Sequence, residues 1–318
     1  MRKIYDLHFK FRSARAQILA DQSRLGVAAT IKKSVDLYRG TLAELMGILV
    51  DKKISAKLAV CVIGSVARKE QVPQSDVDFV FIADKNLNKR EIDKLRLLYR
   101  QTIDLLTVFG FPFEAATGIF DTAGRITGKK RDVKANQGVQ VRSLQDISFL
   151  FGNEGIMLEY RDARLRKVYK NARENVAIIF DEMPVEVTSI KLALRFFSFT
   201  KHIASIHLRK RFGSTNSALR GLYEAGLLEK RELGRLRIIL DRLLFLRLNL
   251  TLPDETLLSE ERMKDYLSGI SGETSPVRIA ENRVFMGRNI DKNHVLKLIK
   301  RDVEYIEDFI ERFRARLL

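Results

Sequence analysis

Tryptophan is absent from the 318 residues, cysteine occurs once and proline five times. The lone Cys61 excludes an internal disulfide framework, and its place inside an apolar run reads as a small buried hydrophobe. No run approaches the roughly 18 uninterrupted apolar residues of a membrane span, so no membrane partner is expected. The opening Met1-Arg2-Lys3-Ile4-Tyr5-Asp6-Leu7-His8 mixes charged with apolar residues and lacks a signal-peptide core, which makes the cytoplasm the expected location. Histidine is scarce as well. His8, His202, His207 and His294 show no metal-ligand spacing, and His202 and His207, five apart, fall off one helical face. No Ser-His-Asp or Cys-His set and no Walker-type glycine-lysine loop can be assembled. Zinc-finger, RGG and aromatic-basic ribonucleoprotein patterns are missing too.

Acidic residues are the minority charge, 40 Asp and Glu against 57 Lys and Arg, for a net +17. That bias favours anionic partners without singling out nucleic acid, since triphosphates, acidic protein surfaces and anionic membranes would all be attracted. The densest basic run, Arg209-Lys210-Arg211, falls at an expected helix end, where cations complement the dipole. A solvated helix terminus is the better reading there, so nucleic acid is the less favoured partner. A hydrophobic content of 46% is ample for a buried core. The length suits two domains or one large one.

Periodicity organises the chain. Ile4, Leu7, Phe11, Ala14 and Ile18 recur at three-four spacing, as do Ile31, Val35, Tyr38, Leu42, Leu45 and Leu49, with Gly26 between the two helices. Residues 57–63 and 77–83 read as strands and Glu91–Leu106 as a helix broken by Gly110-Phe111-Pro112. Phe113–Phe120 reads as a third strand. Residues 121–140 form a polar Gly/Lys-rich loop, with a basic flap near phosphates as the sharper reading. From Thr188 onward the pattern is helical, Pro253 closes one helix, and Ser268–Pro276 is a loop. Ile299, Val303, Ile306, Ile310, Phe313 and Leu317 form a stripe suited to a bundle core more than a dimer seam.

The most informative segment runs from Gly64-Ser65-Val66-Ala67-Arg68-Lys69-Glu70-Gln71 to Ser75-Asp76-Val77-Asp78, between two apolar runs. Residues two apart on a strand point the same way, so Asp76 and Asp78 should project side by side. Neighbouring carboxylates repel unless a cation neutralises them. Hard oxygen ligands suit Mg²⁺, which takes one or two carboxylates together with substrate phosphates; Mn²⁺ is the alternative ion. Gly64 lets backbone approach a ligand closely. Amides of the following turn and the Ser65 hydroxyl can cradle phosphate oxygens. Arg68, as a fork, and Lys69 add positive charge nearby.

At these residues the chain resembles the polymerase-β-type nucleotidyltransferases, through the pattern G-S-x-A-R-x-E-(x)4-S-D-x-D. The nearest kin are the PII-protein uridylyltransferases and a nucleotidyltransferase family often fused to CBS and cyclic-nucleotide-binding modules; Glu70-Gln71 points to the latter. A second stretch is similar to that family's helical C-terminal domain. It includes Ile190–Arg195, Thr215-Asn216, Leu222–Leu228 and Leu246-Arg247-Leu248, so the resemblance spans roughly residues 40 to 255. The family usually has Gly at the position of Ala67 and T-D-Q-D-N at Ser75–Phe79. It tends to end R-L-x-H-Q where this chain reads Arg247-Leu248-Asn249-Leu250-Thr251. No CBS or cyclic-nucleotide module is expected in the remaining length. The catalytic inference survives these departures, whereas inherited regulation is not implied.

The resemblance implies an α+β fold: a small mixed-sheet nucleotidyltransferase domain (56–180), an N-terminal helical segment (1–55) and a C-terminal bundle (181–318) for the acceptor. It implies transfer of a nucleoside monophosphate from ATP or UTP to a protein or small-molecule hydroxyl, with pyrophosphate released. It also implies a third carboxylate beside Asp76 and Asp78, as metal ligand or general base. Candidates are Glu114, Asp121 and Asp132, with Glu114 preferred because a strand holds a group more rigidly than a loop. Asp132-Val133-Lys134 to Gly138 faintly resembles a stretch of the nitrogen-regulating transferases. A non-catalytic nucleotide sensor and a transferase acting on RNA ends are the rival readings; oligomeric state is open.

Overall fold

The computed structural model describes residues 2–73, 77–111, 118–121, 144–183, 190–249 and 292–318. The chain divides into two compact units, Met1–Ala20 with Ile31–Lys170, and Asp21–Thr30 with Asn171–Leu318.

The two helices expected in the first fifty residues are α1 (Arg2–Leu25) and α2 (Val27–Leu49), separated at Gly26. After the single turn α3 (Lys52–Ser55), the first unit alternates strand and helix. Its elements are β1 (Leu58–Val62), α4 (Gly64–Arg68), β2 (Phe79–Ala83), α5 (Lys89–Phe109), β3 (Gly118–Asp121), β4 (Ser148–Gly152) and α6 (Glu154–Lys170). The four strands lie in the order β3-β2-β1-β4. β1 is antiparallel to β2 and β4, whereas β2 and β3 are parallel, so the sheet is mixed.

Both faces of the central strands are covered, which is why β1 and β2 read as unbroken apolar runs. Alternation sends Leu58, Val60, Val62, Phe79 and Phe81 to one face. There they form a core with Phe11 of α1, Tyr38 and Leu42 of α2, and Leu95, Leu106 and Phe109 of α5. The opposite face, with Ala59 and Cys61, is the one left for α6, which packs on β1, β2 and β4. Cys61 is fully buried as expected, and burial raises its thiol pKa far above the ordinary range. A full capping box at Asn88 and Glu91 starts α5.

β4 and α6 were not legible in advance. Ser148-Phe149-Leu150-Phe151 is a short, half-buried edge strand without alternation. Its end depends on Gly152, at φ 95°, where an added Cβ would stand 2.0 Å from the Leu58 carbonyl oxygen.

The second unit holds α7 (Ala172–Asp181), α8 (Ile190–His207), α9 (Thr215–Glu224), α10 (Lys230–Asn249) and α11 (Lys292–Leu317). α8 packs against the other four and buries residues on nearly every side. The α11 stripe is core, as expected: Ile299, Ile306, Ile310 and Phe313 are buried, and Phe309 packs edge-on against Phe196 at 5.9 Å. Arg316 grips Glu232 with two bonds of 2.7 and 2.9 Å, and Arg235 and Arg242 close on the buried Asp302, so ion pairs join α10 to α11. The architecture is α+β. No helix among the described residues is long and apolar enough to cross a membrane.

Candidate active site

The ladder between β1 and β2 runs from Leu58↔Ala83 to Val62↔Phe79. One further bond, from the Ile63 amide to the Asp78 carbonyl at 3.0 Å, carries it to the end of the hairpin. The strand expected over 77–83 therefore begins at Phe79, with Asp78 at its entrance. Immediately beyond Ile63 the chain turns at Gly64, φ 64°, into the short helix α4. A Cβ at Gly64 would lie 2.8 Å from Asp78 Oδ2. Only glycine combines this backbone angle with so close a carboxylate. Ile63, at the N-cap of α4, offers no side-chain acceptor, so the first amides of the helix are not capped by it.

The structure thus brings Gly64 and Asp78 together, with Ser65 next to Gly64 in the turn and its hydroxyl on Gln71. Asp76, Glu114 and Asp132 lie outside the described residues. Among the described residues no group of three or more His, Cys, Asp or Glu side chains gathers as a metal site. Asp121 is placed by its backbone: parallel pairing sets it opposite Ala83, five residues along from Asp78. At about 3.3 Å per residue that is roughly 16 Å along the sheet, beyond the span of one shared cation. The backbone of Asp121 therefore lies toward the other end of β2 from Asp78.

Ser65 donates its hydroxyl proton to Gln71 Oε1, and Gln71 is wholly buried. Downstream, the Pro73 carbonyl accepts 2.6 Å from the Tyr38 hydroxyl and 3.4 Å from Arg15. The segment leading toward Asp76 is therefore anchored on α1 and α2. Burial raises the Tyr38 pKa above its ordinary value, so the phenol remains a donor.

Arg68 corrects an expectation. The fork read as open to phosphate instead closes on two carboxylates, Nε to Glu70 Oε2 at 3.0 Å and Nη1 to Asp146 Oδ2 at 2.6 Å. Burial lowers its pKa, but the charges of Asp146 and Glu70 more than reverse this, and the guanidinium stays cationic. Asp146 closes the helical residues 144–146 just before β4, and nothing in the sequence 78 positions away signals the pairing. Lys69 differs. It is exposed and held in the left-handed region at φ 62°.

A glycine turn opening a short helix, with a carboxylate beside it at one end of a sheet, suits a ligand carrying both phosphate and metal. Residues 14–131 match the model of the family described as Putative nucleotidyltransferase DUF294. The match takes in the Gly64 turn, Asp78 and β1 to β3. It supports the resemblance to nucleotidyltransferases and, in general terms, nucleotidyl transfer as the activity. No curated protein matches the chain.

Proposed function

We propose that the first unit is a metal-dependent nucleotidyltransferase that moves a nucleoside monophosphate from ATP or UTP to a hydroxyl of a protein or small molecule. The apposition of Gly64 and Asp78 carries this reading, because a carboxylate close beside a glycine turn is what a metal-bound triphosphate requires. The family match over 14–131 supports it.

In the reaction the acceptor oxygen forms a bond to the α-phosphorus while the bond from that phosphorus to the bridging oxygen breaks. Pyrophosphate leaves with the electron pair, and the hydroxyl proton passes to a carboxylate. Turn amides, that of Ser65 among them, would hold phosphate oxygens while the Ser65 hydroxyl stays on Gln71, and Lys69 would balance their charge. Asp78, with Asp76, would hold Mg²⁺ or Mn²⁺, and Glu114 is the proposed third acid. The close carboxylate at Gly64 fits such an ion, which when bound would neutralise the triphosphate. Catalysis would then rest on positioning and electrostatics. The helical unit is proposed to bind the acceptor, in the cytoplasm.

Cell extract incubated with the protein, Mg²⁺ and isotopically labelled ATP or UTP should yield labelled adducts heavier by one nucleoside monophosphate, with matching pyrophosphate. Asp78→Asn should lower both by about a hundredfold or more, the scale for removing one key electrostatic group. Equal release by that variant would defeat the proposal.

A further inference from the structure

Arg68 lies in the glycine turn, yet its guanidinium faces into the protein. Its side chain is 15% exposed, between Glu70 at 16% and Asp146 at 3%. Asp146 is 4% exposed as a residue and closes the helical residues 144–146 two positions before β4, whose first residues Ser148 and Phe149 pair with Val62 and Cys61. The ion pair thus joins the far end of α4 to the strand beside β1. Two further bonds close the same turn: the Glu70 amide donates to the Ser65 carbonyl at 2.9 Å, and Ser65 Oγ binds Gln71.

A five-residue helix has too few internal bonds to hold its own orientation. The Gly64–Lys69 turn needs an outside tie, and Arg68 with Asp146 is a buried, charged one. Charge-assisted bonds of this length are the strong class. Stripping one partner from a buried pair leaves an uncompensated charge, whereas replacing both by apolar groups is often neutral.

We infer that Asp146 is a positioning residue for the triphosphate turn, acting through Arg68, and that Arg68 itself makes no phosphate contact. The inference rests on reading this turn as the nucleotide site, and it adds to that site a residue outside the segment 14–131.

The test uses the full chain as Asp146→Asn, Arg68→Met and the double variant Arg68→Met/Asp146→Leu. Two quantities are measured: affinity for Mg·ATP and Mg·UTP, and amide hydrogen exchange over residues 64–69, with α5 as internal reference. Asp146→Asn should weaken triphosphate binding about tenfold or more, the range for groups that orient a ligand through another residue. Exchange should quicken in 64–69 while α5 is unchanged. The double variant should regain affinity to within about threefold of the parent, because the Arg68 and Asp146 charges leave together, an apolar contact takes over the tie, and Glu70 is the more exposed of the two carboxylates. Unchanged affinity in Asp146→Asn would overturn the inference, as would a double variant no better than Arg68→Met, which would make Arg68 a phosphate ligand. If the parent protein binds neither triphosphate, the nucleotide reading fails separately. Exchange in Asp146→Asn then still decides whether Asp146 holds the turn, and unchanged exchange would overturn that too.

Discussion

Gly64 and Asp78 stand so close that a methyl group on the glycine would lie 2.8 Å from the carboxylate oxygen Oδ2. The contact follows from the hairpin register, since the Ile63 amide already bonds the Asp78 carbonyl. Gly64→Ala therefore meets two penalties. The left-handed backbone costs about 1–2 kcal/mol for a residue with a Cβ, and the Asp78 carboxylate must swing aside. The expected outcome is a modest loss of stability and a larger loss of Mg²⁺-dependent triphosphate binding. Thermal unfolding and titration with Mg·ATP would separate the two, and equal affinity in the variant would show that the carboxylate has no part in binding.

The direction of β3 bears on the third carboxylate. β2 and β3 are parallel, with Val80 beside Gly118 and Ala83 beside Asp121, so Asp121 marks the end of the sheet away from Asp78. Asp121→Asn is expected to leave transfer within about twofold of the parent. Glu114→Gln should abolish transfer while triphosphate binding persists. Pyrophosphate release measured beside binding for both variants checks this, and Asp132→Asn completes the series. Loss of activity in Asp121→Asn alone would reverse the assignment.

Much of this fold is written in its periodicities. The α1–α2 pair, β1, β2, α5 and the buried stripe of α11 follow from apolar spacing and from breaks at Gly26 and Gly110. What stayed hidden depends on tertiary contact. β4 is half-buried and short, and pairing with β1 makes it a strand. In the site, the Gly64 turn and Asp78 were legible because their chemistry lies within one segment. The destination of the Arg68 fork was not, because Asp146 reaches it only through the sheet, 78 residues later. An arginine beside a phosphate-sized turn looks available until its carboxylate partners are seen.

Acid should loosen the helical unit through Glu232. Burial pushes its pKa up, but two bonds from Arg316 and one from the Glu229 amide outweigh this and hold it below the ordinary value of 4.5. A depressed folded-state pKa contributes stability that is present above the unfolded value and is lost as pH falls through the folded one. Glu232→Gln should thus lower unfolding free energy at pH 7 by about 1–3 kcal/mol, the range for hydrogen bonds to charged groups. The difference should shrink as pH drops below the ordinary Glu range. Urea unfolding of parent and variant across that range checks the sign, and a gap that stayed constant with pH would assign the loss to packing.

Lys69 offers a test in which fold and function move in opposite directions. It holds a left-handed conformation at the C-cap of α4, φ 62°, where glycine is the common choice. Its side chain is exposed, so core packing does not account for it. Non-glycine residues in sparsely populated regions concentrate at functional sites, where surrounding structure holds the strain. With Arg68 closed on Glu70 and Asp146, Lys69 is the cation of this turn that solvent reaches. Lys69→Gly should hold stability level or raise it by up to about 1 kcal/mol, since the backbone strain is relieved. The same change should weaken triphosphate binding roughly fivefold to tenfold, as expected for one charged contact. Lys69→Arg, which keeps the charge, should retain affinity. A gain in stability with affinity unchanged would reduce Lys69 to a helix-terminal residue that merely tolerates its conformation.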